Sequence, residues 1–315
     1  MRILRQQSGM VLLLVLVVVT LLSALVIELA FSTLVDLRLT ETFRDTSRAY
    51  YLAKGGVRAG RGILRMDSNG YDAPNDPAEL WSLGVAQYPV AEGYLSVTIE
   101  DLGGRINLNA LVSAGNVNPV IKSRLMRLFD ELALSTGEEL IAALIDWLDP
   151  DDRVYVDPEG RRAMGAETGA YLGGEKPVRC KNGPLDNLEE LLLVRGFTPE
   201  IFKEIAPFVR LHGNDKINVN SAPAEVLMAL SEDPEITRDA AEAIIERRSE
   251  TPFKSPAELG WINELPGLAN LLREPFTVTS DIYRIEATAT VNDGVRRAEA
   301  VVNKTGDQLL YLKVD

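Results

Sequence analysis

The chain has one cysteine and one histidine in 315 residues, and aromatic side chains make up only 6% of it. A single thiol, Cys180, excludes an intramolecular disulfide and any cysteine-cluster metal site, so packing or bound ions must hold the fold. A single imidazole, His212, excludes multi-histidine zinc centres. It lies in RLHGNDK, a polar stretch that reads as a solvated turn rather than the base of a triad. Positive charge is also scarce: 33 Lys and Arg against 46 Asp and Glu give a formal net charge of −13. A surface of that sign repels a phosphate backbone and argues against nucleic acid as a partner.

What the sequence does have is an uninterrupted apolar run near its start. From Met10 to Ile27, eighteen residues carry no charge, and only Thr20 and Ser23 break the apolar pattern. At about 1.5 Å per residue this crosses a hydrocarbon core. Arg2 and Arg5 precede it and an acidic remainder follows, which places the bulk of the chain outside the cytoplasm. A secretory signal would end in small residues suited to cleavage. Here the run continues into ELAFSTLVDLRLTETFRDTSRAYYLAKGG, where Leu25, Leu29, Leu34, Leu37, Phe43, Tyr50, Val57 and Leu64 recur at helical spacing. The spacing predicts one helix from about Met10 to Met66, apolar all round in its first third and amphipathic beyond.

The short basic leader ending in Gly9 resembles a class III, type IV pilin-like leader. That resemblance implies that a prepilin peptidase cuts between Gly9 and Met10 on the cytoplasmic side and methylates the new amino terminus. Residues 1–9 are then a leader, and 10–66 a permanent transmembrane and assembly helix. The family usually has a glutamate at the fifth mature position, where this chain has Leu14. Among pseudopilins of type II secretion systems, that absence marks the K component, general secretion pathway protein K. Taken alone, the helix also fits a plain single-span anchor.

Beyond the helix, DSNGYDAPNDPAEL reads as a loop. GYLSVTIEDLGGRINLNA alternates, which predicts a strand from about Tyr94, a Gly-Gly turn and a short extended piece. Near the other end, YRIEATATVNDGVRRAEAVVNKTGDQLLYLKVD alternates again. Asn292, Asp293 and Gly294 supply hairpin chemistry, and Leu309 to Val314 give a last strand. Between these, from about 107 to 274, helical spacing dominates. GRINLNALV is echoed by DKINVNSAP, and LDNLEELLLV by FKSPAELGWI, so the segment reads as two related halves, each closed by a short helix capped by a residue such as Asp186 or Ser255. The predicted architecture is α+β: a long N-terminal transmembrane helix, a small antiparallel pseudopilin sheet from 67–106 and 275–315, and a large inserted all-α domain at 107–274. Members of the K family carry such an insertion, and Ile217 to Asn220, Asp146 to Asp152 and Pro184 to Gly196 resemble their INxN, DWxDxDD and PLxxLEELxLVxG runs.

Three constellations compete for function. The segment from Ile217 to Leu259 resembles helix-hairpin-helix DNA-binding modules, but its hairpin SEDPEIT holds three acids and no glycine, and Asp215 to Glu258 carries ten acidic against five basic residues. Such a surface repels the phosphate that glycine-bearing hairpins bind. DWLDPDDRVYVDPEG gathers Asp146, Asp149, Asp151, Asp152, Asp157 and Glu159, followed by GAETGAY. Hard oxygen ligands on a turn suit Ca²⁺, and the K-family resemblance implies calcium in the inserted domain. Asp149, Asp151, Asp152 and Glu167 are the expected ligands, with Thr168 where the family pattern has a carboxylate. The alternative is a solvated acidic loop that caps helix ends. Asp146 and Asp149 could instead form a catalytic pair on one helix face, but no nucleophile converges on them and no catalytic residue is assigned. GGVRAGRG, from Gly55 to Gly62, lacks the Lys and Ser or Thr of a P-loop; its glycines are expected to let the helix pack closely on the sheet. Trp81, Trp147 and Trp261 read as core or interface side chains. The family resemblance further implies assembly with the H, I and J minor pseudopilins on an inner-membrane platform, with the bulk of the chain in the periplasm.

Overall fold

The computed structural model describes residues 8–157, 164–173, 177–231, 235–265 and 276–315. Helix α1, Ser8–Met66, is 59 residues long, or roughly 90 Å at the helical rise. It begins two residues before the expected start. From Gly9 to Thr40 every residue is exposed. The next part packs on a sheet through Ala49, Ala53, Val57 and Leu64, all buried. Two glycines set the approach: a Cβ on Gly56 would lie 2.8 Å from Ala287 Cβ, and one on Gly60 2.8 Å from Ile285 Cγ2. Gly55 and Gly62 meet nothing within 4 Å, so close packing explains only two of the glycines expected to serve it.

That sheet takes strands from both ends of the rest of the chain. Strands β1 (Val85–Val90) and β2 (Gly93–Asp101) form its first hairpin. The next elements are β3 (Ile106–Asn107), β4 (Val112–Ser113), β5 (Asn116–Val117), α2 (Pro119–Glu131), α3 (Gly137–Leu148), α4 (Thr168–Tyr171), α5 (Pro199–Ile205), β6 (Val209–Arg210), β7 (Ile217–Asn218), α6 (Ala224–Ala229), α7 (Arg238–Glu250) and β8 (Phe276–Thr277). The chain then returns as β9 (Ile282–Val291), β10 (Gly294–Asn303) and β11 (Gln308–Val314). The order is β1-β2-β9-β10-β11, antiparallel throughout. Asn292, at φ 50°, makes the tight turn expected between β9 and β10. Strand β1 was not expected: Pro89 and the irregular register between Val85 and Tyr88 hide its alternation.

The buried side chains fall into two groups. One joins α1 to the sheet through Val97, Ile99, Ile285, Ala287 and Ala300, with Trp81 and Tyr283 edge to face at 5.2 Å. The other spans Ile106 to Val278 and fills the segment between β2 and β9. The inserted region is mostly helical, but its two halves open and close on two-residue strands. β3 pairs in parallel with β6, and β7 pairs in parallel with β8. Three of its helices start at side-chain caps: Asn118 accepts from the backbone N–H of Val120 and Ile121 ahead of α2, Thr198 precedes Pro199 at the start of α5, and Thr237 caps α7. The expected helix in NLEELLLVRG is a 3-10 segment at Leu188–Leu193, capped by Asn187. Asp186, the expected cap, instead binds Lys181 at 2.7 Å. Ser255 does cap the matching 3-10 segment Pro256–Trp261.

The echoed INxN motifs now have a physical meaning. In the first half, the Asn109 side-chain amide donates to the Leu185 carbonyl and its oxygen accepts from the Leu185 N–H. In the second half, Asn220 makes the same two bonds to Phe253. The first Asn of each motif accepts from the N–H two residues on, Asn107 from Asn109 and Asn218 from Asn220. The bridge spans 76 residues in the first half and 33 in the second; the surplus contains the acidic loop after α3.

Candidate metal centre and assembly helix

The acidic loop starts at the C-terminus of α3. Asp146 lies on the last turn of the helix and is fully buried, with its Oδ1 accepting from the Tyr155 N–H at 2.8 Å. Asp149 is the C-cap and has left helical geometry, so the two carboxylates do not share one helix face as the catalytic-pair reading required. Gly165 packs against Asp146 so tightly that a Cβ there would sit 2.0 Å from its Oδ2. This contact brings the next residues, Ala166 and Glu167, back over the end of α3.

Asp149, Asp151 and Glu167 each present a carboxylate oxygen, all within 4.8 Å of one another. Asp152, the fourth expected ligand, turns to the Asn182 amide at 3.1 Å. Asp157 pairs with Lys122 at 2.9 Å, and Glu159 lies outside the described residues. Glu167 is 6% exposed, and neither of its carboxylate oxygens receives a hydrogen bond; Asp146 Oδ2 also receives none. Burial, reinforced by the neighbouring acids, pushes the Glu167 carboxyl up to about 7 and that of Asp146 up to about 6. Leaving buried carboxylates unpaired costs on the order of several kcal/mol. A hard divalent cation offsets that cost, and an all-carboxylate donor set on an irregular loop is the chemistry calcium takes. The residues present therefore fit the ion. Cys180 lies beside them with its thiol donating to the Asp146 carbonyl, and burial pushes that thiol up to about 11, so it offers no thiolate.

A second acidic group, Asp67, Asp72 and Glu79, lies in the segment whose composition reads only as a loop. Its sequence signal is the acid-rich run DSNGYDAPNDPAE, whose fourth acid, Asp76, binds the Tyr71 hydroxyl instead. Here the protein supplies its own cation: Lys304 Nζ lies 2.5 Å from Asp67 and 2.9 Å from Asp72, and Tyr283 and the Ser280 N–H also donate to Asp72. The remaining candidates resolve simply. His212 is half-buried rather than solvated, and its carbonyl accepts from Arg210. Trp81 and Trp147 are buried, while Trp261 is 60% exposed and lies against the Arg247 guanidinium. The hairpin SEDPEIT falls partly on residues 232–234, outside the described residues.

Gly9 and Met10 both lie in the first turns of α1, with open space around Gly9. The apolar part of α1 is long enough to cross a membrane and none of it is buried. A membrane-length helix that continues as the spine of a small antiparallel sheet is the build of a pilin-like assembly subunit, anchored at its amino-terminal end with its bulk in solution. Two family models described as Type II secretion system (T2SS), protein K match residues 104–214 and 217–279. The type II secretion system protein K of Pseudomonas aeruginosa is 30% identical over 262 residues, covering 80% of this chain and 75% of that one. That of Aeromonas hydrophila is 26% identical and covers 98% and 96%. A chain in the crystal structure of the GspK-GspI-GspJ complex from the enterotoxigenic Escherichia coli type 2 secretion system superposes with a TM-score of 0.71 at 18% identity, over 88% of this chain and 99% of that one. The chain belongs to the type II secretion system protein K family, and is a minor pseudopilin of type II secretion.

Proposed function

We propose that this minor pseudopilin caps the tip of a periplasmic pseudopilus and acts by assembly, not catalysis. The observation that carries this is where the second core sits. Gly56 lies over Ala287 and Gly60 over Ile285, so moving up α1 leads toward the Asp101–Tyr283 end of the sheet. The inserted region leaves and rejoins the sheet at that end, the one farthest from the membrane segment. A mass of that size above the helix obstructs addition of a further subunit. The acids considered for catalysis favour the same reading, since Asp146 is enclosed and Asp149 has left the helix.

The leader reading places cleavage by a prepilin peptidase after Gly9, methylation of Met10, anchorage in the inner membrane and exposure of the bulk in the periplasm. Mass spectrometry of the full chain co-expressed with that peptidase should give a terminus at Met10 and, for Gly9→Ala, the uncut chain; normal processing of the variant would sink the reading. Partners are the I- and J-type minor pseudopilins, which the complex of the E. coli relative supports, together with an H-type subunit and the inner-membrane platform. The two buried clusters support dividing the chain into a pseudopilin unit and an inserted unit.

Calcium is part of this proposal, held by Asp149, Asp151 and Glu167 above Asp146. A ligand that binds only the folded state stabilises it. Saturating Ca²⁺ should therefore raise the melting temperature relative to chelator, and Glu167→Gln should shrink that rise. Equal melting temperatures with calcium and with chelator would exclude the ion.

A further inference from the structure

The two edges of the sheet are unlike. Strand β1 is blunted: Pro89 has no N–H to offer, Gln87 sits at φ 49°, and the register slips between Val85 and Tyr88. Strand β11, at the opposite edge, has none of these devices between Tyr311 and Val314. Its sequence QLLYLKV holds no proline or glycine and one charge, Lys313, which pairs with Asp315 at 3.1 Å. Leu309 is 43% exposed and Leu312 37%. Among the described residues no strand lies beyond β11. An apolar edge of this kind is a template for pairing with another chain.

The phase of the ladder shows which groups are open. Arg297 and Asp315 exchange both backbone hydrogen bonds, at 3.1 and 2.9 Å. Alternation then leaves Leu312 and Val314, opposite Ala300 and Ala298, with their N–H and C=O groups directed away from β10. An extended backbone is what matches donors and acceptors at that two-residue spacing.

Beside this edge lies a cleft of about 540 Å³, walled by Leu188 and Phe202 of the inserted region and by Val301 and Tyr311, which pair across β10 and β11. Three arginines on its walls are already engaged: Arg284 with Glu100 and Glu299, Arg297 with Glu286, and Arg105 with Glu100. The cleft therefore suits an uncharged apolar side chain. It is also turned away from the assembly helix, because Ala300 and Val302 are buried against α1 and Val301 alternates with them. An occupant approaches from outside the packed helices.

We infer that β11 takes up an extended segment of the exported polypeptide as a sixth strand, with an apolar side chain of that segment seated against Tyr311 at the mouth of the cleft. Main-chain hydrogen bonds to Leu312 and Val314 hold the segment whatever its sequence, and the cleft selects the apolar residue. This deepens the assembly reading above and rests on it.

The test is fluorescence anisotropy of the full chain in detergent micelles with a labelled peptide of alternating threonine and valine flanked by lysine, set against the same peptide N-methylated at alternate amides. The unmodified peptide should bind about tenfold more tightly than the N-methylated one. Leu312→Pro should abolish that preference, since it removes an outward N–H and no bond to β10. Phe202→Ala should weaken the unmodified peptide about threefold. Both variants should still capture the I- and J-type subunits from detergent extracts as the wild type does. Equal binding of the two peptides, or wild-type binding by both variants, would overturn the strand pairing while leaving the assembly reading intact. Retention of the peptide by the chain in complex with those subunits supports the exported polypeptide as occupant; displacement of the peptide by them would assign the edge to assembly and overturn the inference. Failure of the wild-type chain to capture either subunit would overturn the assembly reading itself.

Discussion

Asn109 and Asn220 each clamp both backbone groups of one distant residue, and in doing so close the two halves of the inserted region. A primary amide can do this because it offers a donor and an acceptor side by side, matching the N–H and C=O of one residue. Truncation leaves both backbone groups of the partner unpaired, at about 1–3 kcal/mol per buried group. Asn220→Ala and Asn109→Ala should each lower stability by roughly 2 kcal/mol in a urea titration, and Asn220→Asp should do so too, since it loses the donor to the Phe253 carbonyl. The INxN echo was legible in the sequence. That the second Asn reaches Leu185 in one half and Phe253 in the other was not, since the two bridges differ in span and the longer one passes over the acidic loop.

At the scale of elements, α1 rests on the sheet by a contact that four nearby glycines do not share equally. Gly56→Ala places a methyl against the immovable Cβ of Ala287 and should cost about 1–3 kcal/mol. Gly55→Ala, one residue away, should stabilise by about 1 kcal/mol, because nothing opposes its methyl. Paired melting curves that moved in the same direction would contradict this packing. The upper end of α1 is tied to the β10–β11 turn by Arg61 and Arg65, both bound to Asp307. The Arg61 hydrogen bond and then Arg65 hold the Asp307 carboxyl below its ordinary value of 3.8. A carboxyl depressed in the folded state contributes stability that is complete above its unfolded pKa and is lost as pH falls through the folded one. The contribution should therefore be intact at neutral pH and fade below about 4. Thermal melts of Asp307→Asn against the parent should differ at pH 7 and converge as the pH is lowered toward 2.

At the scale of the molecule, the two cores meet at a buried polar junction. The Asn218 side-chain amide points at the Asp72 carbonyl, the Asp101 carboxylate and the Ser280 hydroxyl, each at 2.9 Å. Beside it, Gly103 passes so close that a Cβ would lie 2.0 Å from Ser280 Oγ. Asp101 and Ser280 belong to the segments that leave and re-enter the sheet, so Asn218 pins the inserted region to both. Asn218→Ala removes the amide from Asp101 Oδ2 and Ser280 Oγ and should uncouple the cores. Calorimetry should then show two transitions in place of one, and amide exchange near Gly103 and Ser280 should quicken. A single cooperative transition at lower temperature would mean that the junction adds stability without adding coupling.

The sequence by itself determined the membrane-length helix, the alternating strands β2, β9, β10 and β11, the helical character of the inserted segment and the acidic composition of the loop, because periodicity and charge are local properties of neighbouring residues. It did not determine β1, whose bulge and proline conceal its period, nor which glycines of α1 face the sheet, because a helix carries glycine on any face and only its rotation decides. The acidic loop shows the same division. Asp149, Asp151 and Glu167 converge, Asp152 and Asp157 do not, and the choice is made by Gly165 folding over Asp146, a contact between residues 19 positions apart. Which end of the sheet bears the insertion was likewise a tertiary decision, made by the direction in which α1 crosses the strands.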